Sequence, residues 1–180
     1  MAIIDYLAVE NAVKDLLAAD SDTSSFTVLI EPDFAVRSDF CPCVLIYLDS
    51  YDSPIEDELI GGAKPMRTFL TLEIWCYDFS LDNLQGATAR DVMLGKVKEV
   101  LKNSRDLNGT CLNTAFLGGN FDNQKETSGL GFLKGVSIKL QCEVREWLPK
   151  HKKAGKIKVV DCYLQGVNNG LRNRWLYITK

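Results

Sequence analysis

The sequence predicts an α+β fold: a mostly antiparallel sheet covered on one face by two helices, with an appended C-terminal β-hairpin. Three patterns carry that expectation. Apolar residues recur at helical spacing in residues 4–19 and 84–103. Residues 66–78 read as a long strand with an apolar face and a mixed aromatic and charged face, and residues 135–147 alternate apolar and polar side chains, as in a strand with one buried face. Near the C-terminus, Asn168-Asn169-Gly170 separates two β-rich runs, which is a hairpin signal.

In the first helix Tyr6, Val9, Val13, Leu16 and Leu17 form the apolar stripe, and Glu10, Asn11, Lys14 and Asp15 fill the other side. Residues 20–25 are a turn-rich exit. Residues 26–30 form a short β-rich run stopped by Pro32. Residues 44–48 form a second, preceded by Cys41-Pro42-Cys43 and followed by Asp49-Ser50. Residues 49–65 are expected to form a long loop, and loops of that length in compact domains are functional or mobile. This one carries Asp49, Asp52, Glu56, Asp57 and Glu58 against Lys64 alone.

In the strand expected over 66–78, Thr68, Leu70, Leu72, Ile74 and Cys76 share one face. Arg67, Phe69, Thr71, Glu73, Trp75 and Tyr77 share the other. That second face mixes aromatic and charged groups, which makes Phe69, Trp75 and Tyr77 candidate interface residues, together with Asp52, Glu56, Asp57 and Glu58 of the loop. Asp82 or Asn83 caps the second helix by accepting orphan backbone N–H bonds. Its stripe is Ala89, Val92, Met93, Val97, Val100 and Leu101. Asn108-Gly109 marks a turn. A strand follows to Leu117, then a polar, Gly-rich loop to about Gly131.

In the last strand Val136, Ile138, Leu140, Cys142 and Val144 point one way, and Ser137, Lys139, Gln141, Glu143 and Arg145 the other. Leu148-Pro149 closes the unit. The expected organisation is therefore one α+β domain over 1–147 and a basic linker with a hairpin over 148–180. A lone hairpin is marginal in water, so it is expected to dock on its own body or on a neighbour. Trp175 and Leu176 would be its apolar anchors, and Arg172 and Arg174 would pair with carboxylates.

A length of 180 residues suffices for one domain with a real core. Apolar residues make up 46% and charged residues 25%, a globular composition that argues against disorder across the whole chain. No apolar run approaches the ~20 residues that span a bilayer. The N-terminus lacks the basic and apolar regions of an export signal, so folding in a cytoplasm is the expectation. The net charge of −3 is unevenly split. Residues 1–147 hold 13 Lys+Arg against 23 Asp+Glu, a net of −10, whereas residues 148–180 hold 8 against Asp161 alone, a net of +7. Opposite signs on body and tail point to an acidic partner for the tail, either nucleic acid or the body of a neighbouring copy.

Chemistry is harder to find. The only histidine, His151, lies in a Lys-rich stretch and not on a rigid core, where nucleophilic catalysis would need it. Cys41-Pro42-Cys43 has one intervening residue, so it matches neither a zinc knuckle nor a thioredoxin-type motif. Cys76 and Cys142 sit at alternating apolar positions inside the expected strands and are expected to be reduced core thiols. Gly118-Gly119 and Gly129-Leu130-Gly131 lack the Lys-Ser/Thr or the third glycine of a phosphate loop or dinucleotide fingerprint and read as turns. Glu56-Asp57-Glu58 has no apolar surroundings to raise a carboxyl pKa and no oxygen-ligand spacing for a cation, so it reads as a solvated acidic loop. Lys150, Lys152, Lys153, Lys156 and Lys158, with Arg172, Arg174 and Trp175, suit phosphates and a stacked base, or equally an acidic neighbour.

Residues 4–147 resemble the tail terminators of long-tailed phages. Four features in order carry the resemblance: the short helix with Ala12-Val13-Lys14-Asp15-Leu16-Leu17; Phe40-Cys41-Pro42-Cys43-Val44-Leu45-Ile46-Tyr47-Leu48, similar to the family's Phe-Pro-x-Val-x-Val-Tyr strand; an acidic loop followed by Leu70-Thr71-Leu72-Glu73-Ile74-Trp75 and a long helix; and the closing strand from Gly131-Phe132 to Val144. The extension after Pro149 departs from the short form of the family. The resemblance implies a hexameric ring on the tail tube that stops tube polymerisation and offers a docking surface to the head. It implies partners in further copies of itself, the tube protein and the head–tail connector or neck proteins. Genomic DNA would pass through the channel without specific binding, and neither a cofactor nor a membrane is implied. The expected location is the virion tail or neck, reached from the host cytoplasm during assembly. Other expectations stay open: another neck, head-completion or baseplate component, or a small nucleic-acid-binding module using the basic tail.

Overall fold

The computed structural model describes residues 5–52, 65–125 and 131–147. The chain divides into two units, Met1–Leu148 and Pro149–Lys180. All described residues belong to the first. The expected hairpin, with Arg172, Arg174 and Trp175, and the loop carboxylates Glu56, Asp57 and Glu58 lie outside the described residues.

Helix α1 spans Tyr6–Ala19 and starts where the Asp5 carboxylate accepts from the Ala8 N–H at 3.2 Å. At its other end the buried Thr23 hydroxyl donates to the Leu17 carbonyl at 2.6 Å, satisfying one of the orphan acceptors of the last turn. Val9, Val13 and Leu17 are buried as the periodicity predicts, and Ala12 is buried beside them. Glu10 departs from it: placed on the polar side by spacing, it is only 4% exposed. Helix α2 spans Asn83–Asn103, with Asp82 accepting from the N–H groups of Leu84 and Gln85 at 2.9 and 2.8 Å. Its buried line is Gly86, Arg90, Met93, Val97 and Leu101. Val92 falls a third of a turn off that line and is exposed, contrary to the expected stripe.

Among the described residues, six strands form one mixed sheet: β1 Thr27–Ile30, β2 Cys43–Asp52, β3 Pro65–Ser80, β4 Asn113–Phe116, β5 Phe121–Lys125 and β6 Phe132–Trp147. The order is β1-β2-β3-β6-β4, with β5 also paired to β6. Every pair is antiparallel except β1–β2. That parallel pair needs a crossover, supplied by residues 31–42 with a short 3-10 turn at Ser38–Phe40. Leu70, Leu72, Ile74 and Cys76 of β3 and Val136 to Val144 of β6 alternate into one core with both helices. The fold is thus the expected α+β sheet with helices on one face.

Two local departures matter. Asp49-Ser50 is not the end of β2 but a bulge: Leu48 pairs with Leu72, yet Ser50 pairs with Thr71. The extra residue turns Tyr51 to the helix side, where its ring lies 6.3 Å from that of Tyr6. The stretch expected to be a Gly-rich loop contains β5, and residues 117–120 keep bonding to β6 between β4 and β5. Leu117 N–H donates to the Lys139 carbonyl at 2.7 Å, and Ser137 N–H to the Asn120 carbonyl at 2.8 Å. Gly119 makes this close approach possible, since a Cβ there would sit 1.9 Å from the Ser137 carbonyl oxygen.

Candidate assembly surface

Of the candidate residues, the described ones, Asp52, Phe69, Trp75 and Tyr77, lie on the helix-free face of the sheet. Its centre is a second, smaller apolar cluster: Cys43, Leu45, Tyr77 and Leu133, with Leu29, Val36, Phe40, Tyr47, Trp75 and Phe79 around it. The β1–β2 crossover supplies Val36 and Phe40, so it folds over this face as a partial cover. Between crossover and strands lies an open groove of about 510 Å³, lined by Phe34, Ala35, Val36, Leu45, Tyr47, Glu73, Trp75 and Tyr77.

Cross-strand register places the aromatics. Trp75 pairs with Leu45 and Ser137, and Tyr77 with Cys43 and Gly135. The Trp75 and Tyr77 rings stack at 5.6 Å with 20° between their planes. The Tyr77 ring lies over Gly135, where a Cβ would come within 2.4 Å of it. Its hydroxyl then reaches one strand further and donates to Asp122 Oδ2 at 3.0 Å. Burial, aided by Asp122, pushes the Tyr77 phenol well above its ordinary pKa, which keeps it a donor.

A row of polar contacts continues along the same face. The Ser137 hydroxyl donates to Glu73 Oε1 and accepts from the Asn120 N–H, both at 3.0 Å. Lys139 Nζ donates to Asp49 Oδ2 at 2.9 Å, which holds the lysine charged more firmly than usual. Arg67 Nε lies 3.4 Å from Glu143 Oε1. Phe69 pairs with Asp52 and Glu143 and is half-buried among these groups.

Of the expected interface residues, Asp52 is exposed, and Phe69 and Trp75 are half-buried. Tyr77 is 8% exposed, so a partner reaches little of it. The structure brings Trp75 and Tyr77 together in the groove; Phe69 and Asp52 sit further along the same face. Sequence reasoning missed Phe34 and Val36, whose placement depends on the crossover, and Leu45 and Tyr47, which pair with Trp75 and Glu73 on the same face. It also missed an exposed apolar set at the sheet's other side: Leu81, Leu84 and Phe121 are each more than half exposed. The Arg90 guanidinium lies 4.8 Å from the Phe121 ring centre. Among the described residues no three His, Cys, Asp or Glu side chains gather as a metal would require, and no helix is long and apolar enough to cross a membrane.

No family model and no curated protein matches the chain. Among solved structures it is similar to a chain of the virion of a native gene transfer agent particle, at 10% identity and a TM-score of 0.39, over 76% of this chain and 94% of that one. It is also similar to the sheath/tube terminator of an extracellular contractile injection system, PVC, in its extended state. There the identity is 12% and the TM-score 0.42, over 94% of this chain and 66% of that one. At TM-scores this low, neither likeness carries weight for fold or function.

Proposed function

We propose that this chain is a structural, non-catalytic subunit of a phage-type tail, closing into a ring at the head-proximal end, stopping tube polymerisation and joining tail to head. One observation supports this reading above the others. The four segments that resemble tail terminators fall in chain order on α1, β2, β3 with α2, and β6, and these elements build a single sheet-and-helix body. The helix-free face then gives the body an aromatic groove and a polar row suited to lateral contact with further copies. Heterologous contacts of that kind close into rings when the rotation between neighbours closes.

The proposed partners are other copies of the chain, the tail tube and the head connector, with DNA passing through the ring unbound. Glu56, Asp57 and Glu58 are proposed to serve assembly; their joint replacement by Ala is expected to impair tail joining. Removing residues 150–180 is expected to leave a folded body that assembles less well.

The test is particle assembly without this chain. Tubes of uncontrolled length that fail to join heads are the expected result. Tubes of normal length with normal joining contradict the proposal. Tight, steeply salt-sensitive DNA binding by the isolated chain would favour the nucleic-acid reading instead.

A further inference from the structure

Among the described residues, one buried side-chain polar atom has no hydrogen-bond partner: Oε1 of Glu10. Glu10 sits on the sheet side of α1, 4% exposed, beside the aliphatic core. A bare carboxylate in that position would be costly. The group that acts on it most directly is a second carboxyl, Glu31.

Glu31 is itself held unusually. Its backbone lies in the left-handed region at φ 45°, which side chains with a Cβ disfavour. Two hydrogen bonds keep it there. Its N–H donates to the Ile46 carbonyl at 2.9 Å, ending the β1–β2 ladder. Its Oε1 accepts from the Leu48 N–H at 2.7 Å. The side chain thus takes the place that a further β1 residue would occupy beside β2, which runs on to Asp52 beyond the end of β1. The Glu31 carboxyl is the cap on that open strand edge.

We propose that Glu10 is held as the neutral acid and donates its proton to the Glu31 carboxylate, forming a pH-sensitive latch between α1 and the edge of β2. Two acidic side chains in contact cannot both ionise cheaply, and a shared proton satisfies the orphan oxygen. Charged groups on the packed elements include Lys14 on α1, Asp49 and Asp52 on β2, and Arg90, Asp91, Lys96, Lys98, Glu99 and Lys102 on α2. Burial first, then the hydrogen bond and charge of Glu31, push Glu10 from 4.5 up to about 7. The folded state therefore keeps a proton that the unfolded chain releases above 4.5. The contribution of the protonated Glu10 weakens as pH rises through about 7 and is lost above it. Ionisation sets the two carboxylates against each other and loosens the cap on Leu48.

Two measurements on the full chain test this. The first is carboxyl ¹³C titration of Glu10 in the unaltered protein. It should titrate near neutrality; a midpoint in the ordinary carboxylate range overturns the proposal. The second is amide exchange at Leu48, corrected for its intrinsic pH dependence. Protection should fall by about tenfold from one pH unit below neutrality to one above. In Glu10→Gln, which keeps a donor but cannot ionise, it should stay flat. A Glu10→Gln profile that tracks the wild type overturns the latch. So does restoration of wild-type protection above neutrality by added Mg²⁺ or Ca²⁺, which would put a cation where the proton is proposed.

Discussion

Under the helices, the sheet is closed by aliphatic side chains: Leu70, Leu72, Ile74 and Leu140 are fully buried, and they interlock with Val13, Leu17, Val97 and Leu101. On the opposite face Glu73, Phe69 and Trp75 stay half-buried, polar side chains bond across strands, and a loop gives only partial cover. The same strands make both surfaces, because successive side chains point to opposite sides. One face is occupied with holding the subunit together. The other keeps aromatic and charged groups within reach of another molecule, and most of its hydrogen bonds fix where those groups point.

The sharpest way to break this comparison is to truncate the buried face. Leu72→Ala and Leu140→Ala should each cost ~2–5 kcal/mol in urea unfolding, as expected for large-to-small changes in a closed core. A loss near zero would mean that the helices do not seal this face. Gly119→Ala comes next. Its Cβ must displace the Ser137 carbonyl from 1.9 Å, so β5 should separate from β6 at a cost of ~1–3 kcal/mol. Amide exchange at Ser137 should speed up while Ile74 stays protected; uniform exchange across both strands would refute the local account.

Thiol accessibility offers a test without stability change. Cys76 and Cys142 lie in the helix-side core, and burial pushes the Cys76 thiol up to about 12, so both should resist alkylation until unfolding. Cys41 is half-exposed, but its thiol is also held up, first by its hydrogen bond with Cys43 and then by burial, so it should react only slowly. Rapid native labelling of Cys76 would place it wrongly. The smallest stability effect belongs to the open face: Phe69→Ser and Asp52→Ala should each shift unfolding by under ~1 kcal/mol. Both should still weaken self-association in sedimentation, and unchanged association would remove these residues from the proposed interface.

The helices, β3 and β6 were legible because their patterns run for ten residues or more and the buried set matches the period. Cys76 and Cys142 followed from the same alternation. The bulge at Asp49 was hidden because Asp-Ser reads as a turn, and only pairing with Leu72 and Thr71 shows that the strand continues. β5 was hidden because Phe121-Asp-Asn-Gln-Lys has no apolar alternation; its partner, Phe132–Val136, makes it a strand. Glu10 lay on the polar side by spacing, and its burial comes from tertiary packing that spacing does not show. The groove residues Phe34 and Val36 were illegible for the same reason: a crossover's path over a sheet is tertiary information.

The proposal that the open face serves ring assembly is tested most directly by locating the chain in intact particles by electron cryomicroscopy. The account predicts a closed ring of copies at the head-proximal end of the tail, with Trp75 and Phe69 on the face between neighbouring subunits or against the tube. A single copy, an open fibre, or a ring whose neighbours meet only through α1 and α2 would contradict it.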